Sequence, residues 1–300
     1  MNEVRVAGLA CTGEGGVEAA LEQATAMIAA AAAAGADLVC LPELFAWTWM
    51  PPEDRPGLAQ SVDGPFCRRL AAVAAEHGVN ILTALAERDG AHMFNTMVWL
   101  DRTGTVVGRY RKVFPTVYEI DQGFSPGTLD FDVFQTEFGP VGCCICFDIN
   151  FPEVAARLAA QQPRLVVFPT MFDGLTLMRA RAKLLRCFFL SVAGSPYGAL
   201  VSPLGQVLVE PWRHGAILAA TINLDFAVLH TDENRDKFDA VQRRYGAAVQ
   251  IDNWYLESCA VLSSRHPAKT AADMVRECGL ELETDYYERS RAKCHRHRTA

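Results

Sequence analysis

Three hundred residues, half of them hydrophobic and 21% charged, suffice for one large core or two smaller ones, at roughly 100 to 200 residues per domain. A net charge of −7 argues against a broad surface for nucleic acid or anionic membrane, and an acidic substrate would need a local cation. The apolar stretch from Ala24 to Ala36 falls short of the ~20 residues that span a bilayer, and ten cysteines scattered without a secretory leader read as the reduced thiols of a cytoplasmic protein.

Residues 4–9 read as a first strand. In 17–34, Val17, Leu21, Ala24 and Ile28 recur at helical spacing until Gly35 ends the run, and 36–41 is the next strand. A helix over 66–77 and a strand over 78–85 follow. Residues 97–100 and 105–107 flank the tight-turn sequence Asp101-Arg102-Thr103-Gly104 and predict a hairpin. The run 141–145 is a strand, 151–161 a helix, 165–168 a buried strand and 175–186 an arginine-rich helix. Strands over 188–193, 200–202, 206–210 and 216–223 complete the series, with Pro203-Leu204-Gly205 as a turn. Strands alternating with helices and then forming hairpins imply an α/β fold, with sheets covered by outer helices. No sequence repeat is visible, and no linker interrupts the first 260 residues.

Cys146 ends the strand-like run Val141-Gly142-Cys143-Cys144-Ile145 and is followed by Phe147-Asp148-Ile149-Asn150-Phe151-Pro152-Glu153. Proline with an acid behind it is a favoured helix start, so Cys146 is expected at a strand exit facing a helix N-terminus, a field that favours the thiolate. A lone cysteine there reads as a small buried side chain. Two further strand exits carry charge: Glu43 in Leu38-Val39-Cys40-Leu41-Pro42-Glu43-Leu44, and Lys112 at the end of Val106-Val107-Gly108-Arg109-Tyr110-Arg111-Lys112. Attack on an amide or nitrile carbon requires a nucleophile, a group that shuttles its proton to the leaving nitrogen, and fixed positive charge for the developing anion. Cys146, Glu43 and Lys112 supply these types. Glu43 suits the acid/base role if partial burial raises its pKa, and the backbone NH of Phe147 could add an oxyanion donor.

With these three segments in this order, the chain resembles the nitrilase, or carbon-nitrogen hydrolase, superfamily, in its amidase and carbamoylase branch. The resemblance runs from the first strand to about residue 225. It implies an α/β fold of four layers, an α-β-β-α sandwich, over a domain of residues 1–265. Residues 266–300 would then be a C-terminal extension at an oligomer interface. The family's further active-site glutamate, shortly before a Pro-Gly turn, falls on Glu119 ahead of Pro126-Gly127, with the role of holding Lys112 and orienting the amide or water; Asp121 is the alternative. Its acyl pocket is lined by the loops that here carry Phe45, Trp47, Trp49 and Met50, and Met171 and Phe172, which with Phe147 imply an apolar or aromatic pocket. Nitrile-cleaving members carry Trp-Glu after the nucleophile, whereas this chain has Phe147-Asp148. Relatives acting on dicarboxylic monoamides show an arginine where this chain has Asn150.

These readings converge on a cofactor-free hydrolase of a small amide or N-carbamoyl compound that works through a Cys146 thioester and releases ammonia or an amine. A nitrilase is the alternative enzyme, and a catalytically inactive binding or scaffolding member the alternative of another class. The expected partners are a small amide, carbamoyl or nitrile substrate and further copies of the chain, a dimer or larger, with neither nucleic acid nor membrane. The apolar runs 226–229, 249–251 and 254–256 need cover, and C-terminal segments in the family commonly cross a two-fold interface. Cys143 and Cys146 form a C-x-x-C, but inside a strand rather than at a helix start. Cys278, Cys294, His295 and His297 fit no standard zinc spacing, and residues 288–300 read as a solvated basic tail. Glu153 and Arg157, four apart, read as a supporting ion pair.

Overall fold

The computed structural model describes residues 3–47, 50–51, 53–194, 198–209, 217–254 and 257–298. The chain opens with strands and helices in alternation: β1 (Glu3–Leu9), α1 (Val17–Ala33), β2 (Leu38–Cys40), the one-turn α2 (Arg55–Leu58), α3 (Pro65–His77) and β3 (Asn80–Asp89). Two antiparallel strands, β4 (His92–Leu100) and β5 (Val106–Arg111), and the short α4 (Val117–Asp121) follow. The pattern then starts again with β6 (Phe134–Thr136), β7 (Gly139–Cys143), α5 (Pro152–Gln161), β8 (Leu165–Thr170), α6 (Leu175–Leu185), β9 (Phe188–Ala193), β10 (Leu200–Val201) and β11 (Val207–Val209). β12 (Ile217–Asn223) joins the first sheet.

Two six-stranded sheets result, ordered β12-β1-β2-β3-β4-β5 and β11-β10-β9-β8-β7-β6. The second repeats the first in topology. Three parallel strands, β1-β2-β3 or β7-β8-β9, are followed in each by two antiparallel ones. Parallel neighbours need a crossover, which places α1 and α3 on one sheet and α5 and α6 on the other. On α1 the buried residues Ala20, Leu21, Ala24, Ile28 and Ala31 form the one apolar stripe that the sequence spacing predicted. They pack with Phe66, Leu70 and Val73 of α3 over Val39 and Ile81 of the strands. Burying each large aliphatic side chain there contributes about 1.5–3 kcal/mol.

The inner faces of the sheets meet. The Trp99 ring of β4 lies 5.5 Å from the Phe134 ring of β6. A Cβ on Gly108 of β5 would stand 2.6 Å from the same Phe134 ring, so glycine is what lets the strand come this close. The fold is thus the α/β sandwich expected, with both sheets flanked by helices. β3 and β4 run longer than the sequence suggested, because their apolar alternation is broken by buried polar residues, Thr83, Glu87, Asn95 and Thr96.

The described chain divides into two compact units, residues 4–222 and residue 3 with 223–298. The physical reason is pairing. β13 (Phe226–His230), β14 (Val249–Trp254) and β15 (Cys259–Ser264) form their own antiparallel sheet, ordered β13-β15-β14. With α7 (Phe238–Tyr245) and α8 (Ala271–Glu277), it encloses a separate core of Leu229, Phe238, Val241, Val249, Leu262 and Met274. The apolar runs 226–229 and 249–251 therefore find cover in their own chain; Tyr255 and Leu256 lie outside the described residues. Residues 288–298 of the basic tail belong to α9 (Glu283–Arg298) and are exposed from Ser290 to Arg298. No helix among the described residues is long and apolar enough to cross a membrane.

Candidate active site

Three strand ends of the larger unit converge on one cluster. Glu43 sits in the turn after β2, next to Leu44, whose φ of 44° is left-handed. Lys112 directly follows β5; its backbone NH donates to Asn95 O at 2.8 Å, and its carbonyl accepts from Gly127 N at 2.8 Å. Cys146 opens a 3-10 turn, Cys146–Asn150, with φ of 46°, and α5 starts at Pro152. Non-glycine residues in this region cost about 1–3 kcal/mol each and persist where the surroundings hold them. Here one of them, Leu44, adjoins the acid and another, Cys146, forms the thiol elbow.

All three side chains are buried, Lys112 at 1% and Glu43 at 3% exposure. Lys112 Nζ donates to Glu43 Oε1 at 2.8 Å and to Glu119 Oε2 at 2.7 Å. Asn95 Nδ2 donates to the same two carboxylates, to Glu43 Oε1 at 2.8 Å and Glu119 Oε1 at 2.9 Å. Glu119 belongs to α4, where it closes a capping box: Thr116 N donates to Glu119 Oε2 at 2.8 Å, and Glu119 N donates to the Thr116 hydroxyl. Burial opposes both charges. The attraction of Glu43 and Glu119 outweighs it for the Lys112 ammonium, whose pKa lies above the ordinary lysine value. Glu119 is likewise held below the usual carboxylate range, because Lys112, Asn95 and Thr116 outweigh desolvation.

Glu43 Oε2 is buried and takes no hydrogen bond of ordinary geometry. The Cys146 thiol is close enough to the Glu43 carboxylate for the two to be coupled, and it also receives the backbone NH of Met171. The thiol is not the activated thiolate expected at a helix start. Burial, then the Glu43 charge, push its pKa up to about 12 despite Lys112. A five-residue 3-10 turn offers little dipole, and the thiol reaches the cation only in company with the acid.

Asp148, two residues past the thiol, is fully buried and ties the elbow to the lysine strand. It accepts from Tyr110 Oη at 2.7 Å, Phe114 N at 2.8 Å, Val113 N at 3.4 Å and Ile145 N at 3.3 Å. Its bonds thus grip residues on both sides of Lys112 and the residue just before Cys146. Desolvation raises its pKa to about 6 against these donors. Sequence reading noted Asp148 only as a subclass marker and passed over Asn95. The available signal was an Asn-Thr pair inside the otherwise apolar run 93–100, since a buried polar residue in a central strand must have a partner.

Of the residues expected to line a pocket, Phe147, Met171 and Phe172 are exposed at this end of the unit. Phe147 packs edge-on against Phe151 at 5.2 Å, and Phe172 against Phe168 at 6.1 Å. Trp47 is not among them. It is buried, T-shaped on Phe124 at 5.0 Å, and clustered with Leu44, Ala86 and Met93. Phe45 is core as well, and Trp49 lies outside the described residues. Arg157 turns from Glu153 to Phe131 O and Asp132. Asp121, at the end of α4, is exposed. The ten cysteines are all free, and the described residues contain no group of three His, Cys, Asp or Glu suited to a metal ion.

Residues 5–228 match the carbon-nitrogen hydrolase family. The chain is 28% identical to an omega-amidase, NIT2 of Xenopus tropicalis, over 234 residues that cover 69% of this chain and 83% of the relative. It is 37% identical to a nitrilase of Pyrococcus abyssi over 150 residues, 49% of this chain and 56% of the relative. Among solved structures, an amidase from Nesterenkonia sp. shares the fold at a TM-score of 0.66 and 22% identity, covering 81% of this chain and 96% of that one.

Proposed function

Since the chain belongs to the carbon-nitrogen hydrolase family, we propose that it hydrolyses a small amide or N-carbamoyl compound through a thioester on Cys146, with Glu43 as acid and base and Lys112 as the fixed cation. The observation that carries this reading is the closeness of the Cys146 thiol to a carboxylate, one of whose oxygens holds two donors while the other takes no hydrogen bond of ordinary geometry. Such a base accepts the thiol proton only as the sulfur attacks, which suits a thiol that is protonated at neutral pH.

The positions support the following steps. Sγ bonds to the carbonyl carbon while its proton passes to Glu43. The oxyanion is stabilised by Lys112 Nζ and by the NH of Phe147, which as second residue of the turn has no intrahelical acceptor. Glu43 returns the proton to the nitrogen as the C–N bond breaks and ammonia or an amine leaves. Water then gives a proton to Glu43 and attacks the thioester, the acid departs, and the thiol is restored. Glu119 holds Lys112 in place throughout. Phe147, Met171 and Phe172, exposed beside Cys146, would take an apolar acyl group.

The omega-amidase and amidase relatives favour an amide, while the nitrilase of Pyrococcus abyssi keeps a nitrile as the second reading, through the same thioester. The deciding experiment measures ammonia release from a panel of amides, carbamoyl compounds and nitriles, with mass spectrometry of the protein during turnover. Hydrolysis with an acyl adduct on Cys146 is expected. An adduct on Cys143 or Cys144 would overturn the assignment. No turnover together with a thiol inert to haloacetamide would instead leave a binding member of the family. A homo-oligomer, dimer or larger, acting in the cytoplasm completes the proposal; light scattering showing an active monomer would refute its assembly.

A further inference from the structure

We infer that Asn95 is a positioning residue that decides which oxygen of Glu43 carries the proton in each step, an inference that rests on the acid/base role just proposed for Glu43. Asn95 is fully buried in β4, and its carbonyl accepts the backbone NH of Lys112, so strand pairing fixes it across from the cation. Its Nδ2 has two hydrogens and two acceptors, one on each carboxylate. Lys112 bridges the same pair from the other side. Glu43 Oε1 therefore receives two donors, and no hydrogen bond of ordinary geometry reaches Oε2.

The orientation of the Asn95 amide is forced. Turned over, it would aim its carbonyl oxygen at two carboxylates. In the observed orientation Oδ1 is left buried and without a partner, an arrangement unfavourable for folding alone. What it secures is a neutral second donor on Oε1. An apolar side chain in that place would leave Oε1 with Lys112 as its one donor and so narrow its difference from Oε2. With Oε1 occupied, Oε2 is the basic oxygen, so the proton is taken up and given back from a fixed point.

The test compares the pH dependence of kcat/KM for wild type, Asn95→Leu and Asn95→Asp on an amide that the wild type hydrolyses. Asn95→Leu removes the donor at similar volume. Its acid limb should move upward by about one pH unit, the scale of a lost charge-assisted hydrogen bond, with kcat lowered roughly 10- to 100-fold and KM little changed. Asn95→Asp keeps the shape and offers a donor only when protonated, so its turnover should rise as the pH falls, opposite to wild type along that limb. An Asn95→Leu protein with reduced kcat and an unmoved limb would reduce Asn95 to packing and overturn the inference, as would an Asn95→Asp profile of wild-type shape. If Asn95→Leu does not fold, the sign of the Asn95→Asp profile decides alone. Failure of the underlying reading is separately visible, since Glu43→Gln would then retain turnover.

Discussion

Lys112→Met isolates the charge that holds the cluster together. In wild type, both carboxylate bonds end on one nitrogen, at 2.8 and 2.7 Å, so the bonded oxygens of Glu43 and Glu119 are at most about 5.5 Å apart. Methionine fills the space but leaves two buried carboxylates facing each other. At an effective dielectric of ~20 their repulsion is about 3 kcal/mol, or about 2 pKa units for the pair. The sign of the pH dependence then differs between the proteins. Wild-type Glu119, held low chiefly by Lys112 against desolvation, contributes stability that is full above its unfolded pKa and lost as pH falls through the folded value. In the variant, one carboxylate of the pair has a raised folded pKa, so its contribution is present at low pH and lost as pH rises through that value. Urea unfolding from about pH 4.5 to 8 should show a stability gap that widens with pH by about 3 kcal/mol and reaches roughly 3–5 kcal/mol near neutrality. A gap independent of pH would refute the claim that Lys112 serves to neutralise two carboxylates, and turnover retained by the variant would remove it from the mechanism.

Cys146→Ala should abolish hydrolysis without loss of folding, checked by ammonia release and circular dichroism. With the thiol pushed up to about 12 by burial, its alkylation by iodoacetamide should keep rising through about pH 10; a plateau near the ordinary cysteine value of ~8.5 would contradict that environment. Gly127→Ala should destabilise by about 1–3 kcal/mol in thermal unfolding, because the new Cβ would meet Arg111 O at 2.5 Å just where the loop bonds Lys112 O. Exhaustive chelation should leave turnover unchanged, whereas loss of activity restored by zinc would bring Cys278, Cys294, His295 and His297 back into consideration.

The sequence by itself determined the elements of the larger unit and the three strand exits. Both are local properties: apolar periodicity with a Gly or Pro at each end marks a strand or helix, and the residue after the run is readable directly. Glu43, Lys112 and Cys146 were legible for that reason, and Glu119 through the family resemblance, which places a glutamate before Pro126-Gly127. The tertiary structure alone decided the rest, because it depends on what lies across a strand pair or a packed face. Asn95 gains its role only when β4 pairs with β5, and Asp148 only when the elbow meets Phe114. The state of the thiol is of the same kind. Local sequence suggested a helix terminus that would lower its pKa, and burial beside Glu43, which raises it, is a property of the assembled core. Trp47 follows the same logic, for its loop position was readable but the Phe124 ring against which it is buried comes from a distant segment. The second unit was illegible for a related reason: β13 and β14 look like stray apolar pieces, and β15 went unnoticed, until antiparallel pairing makes them one sheet.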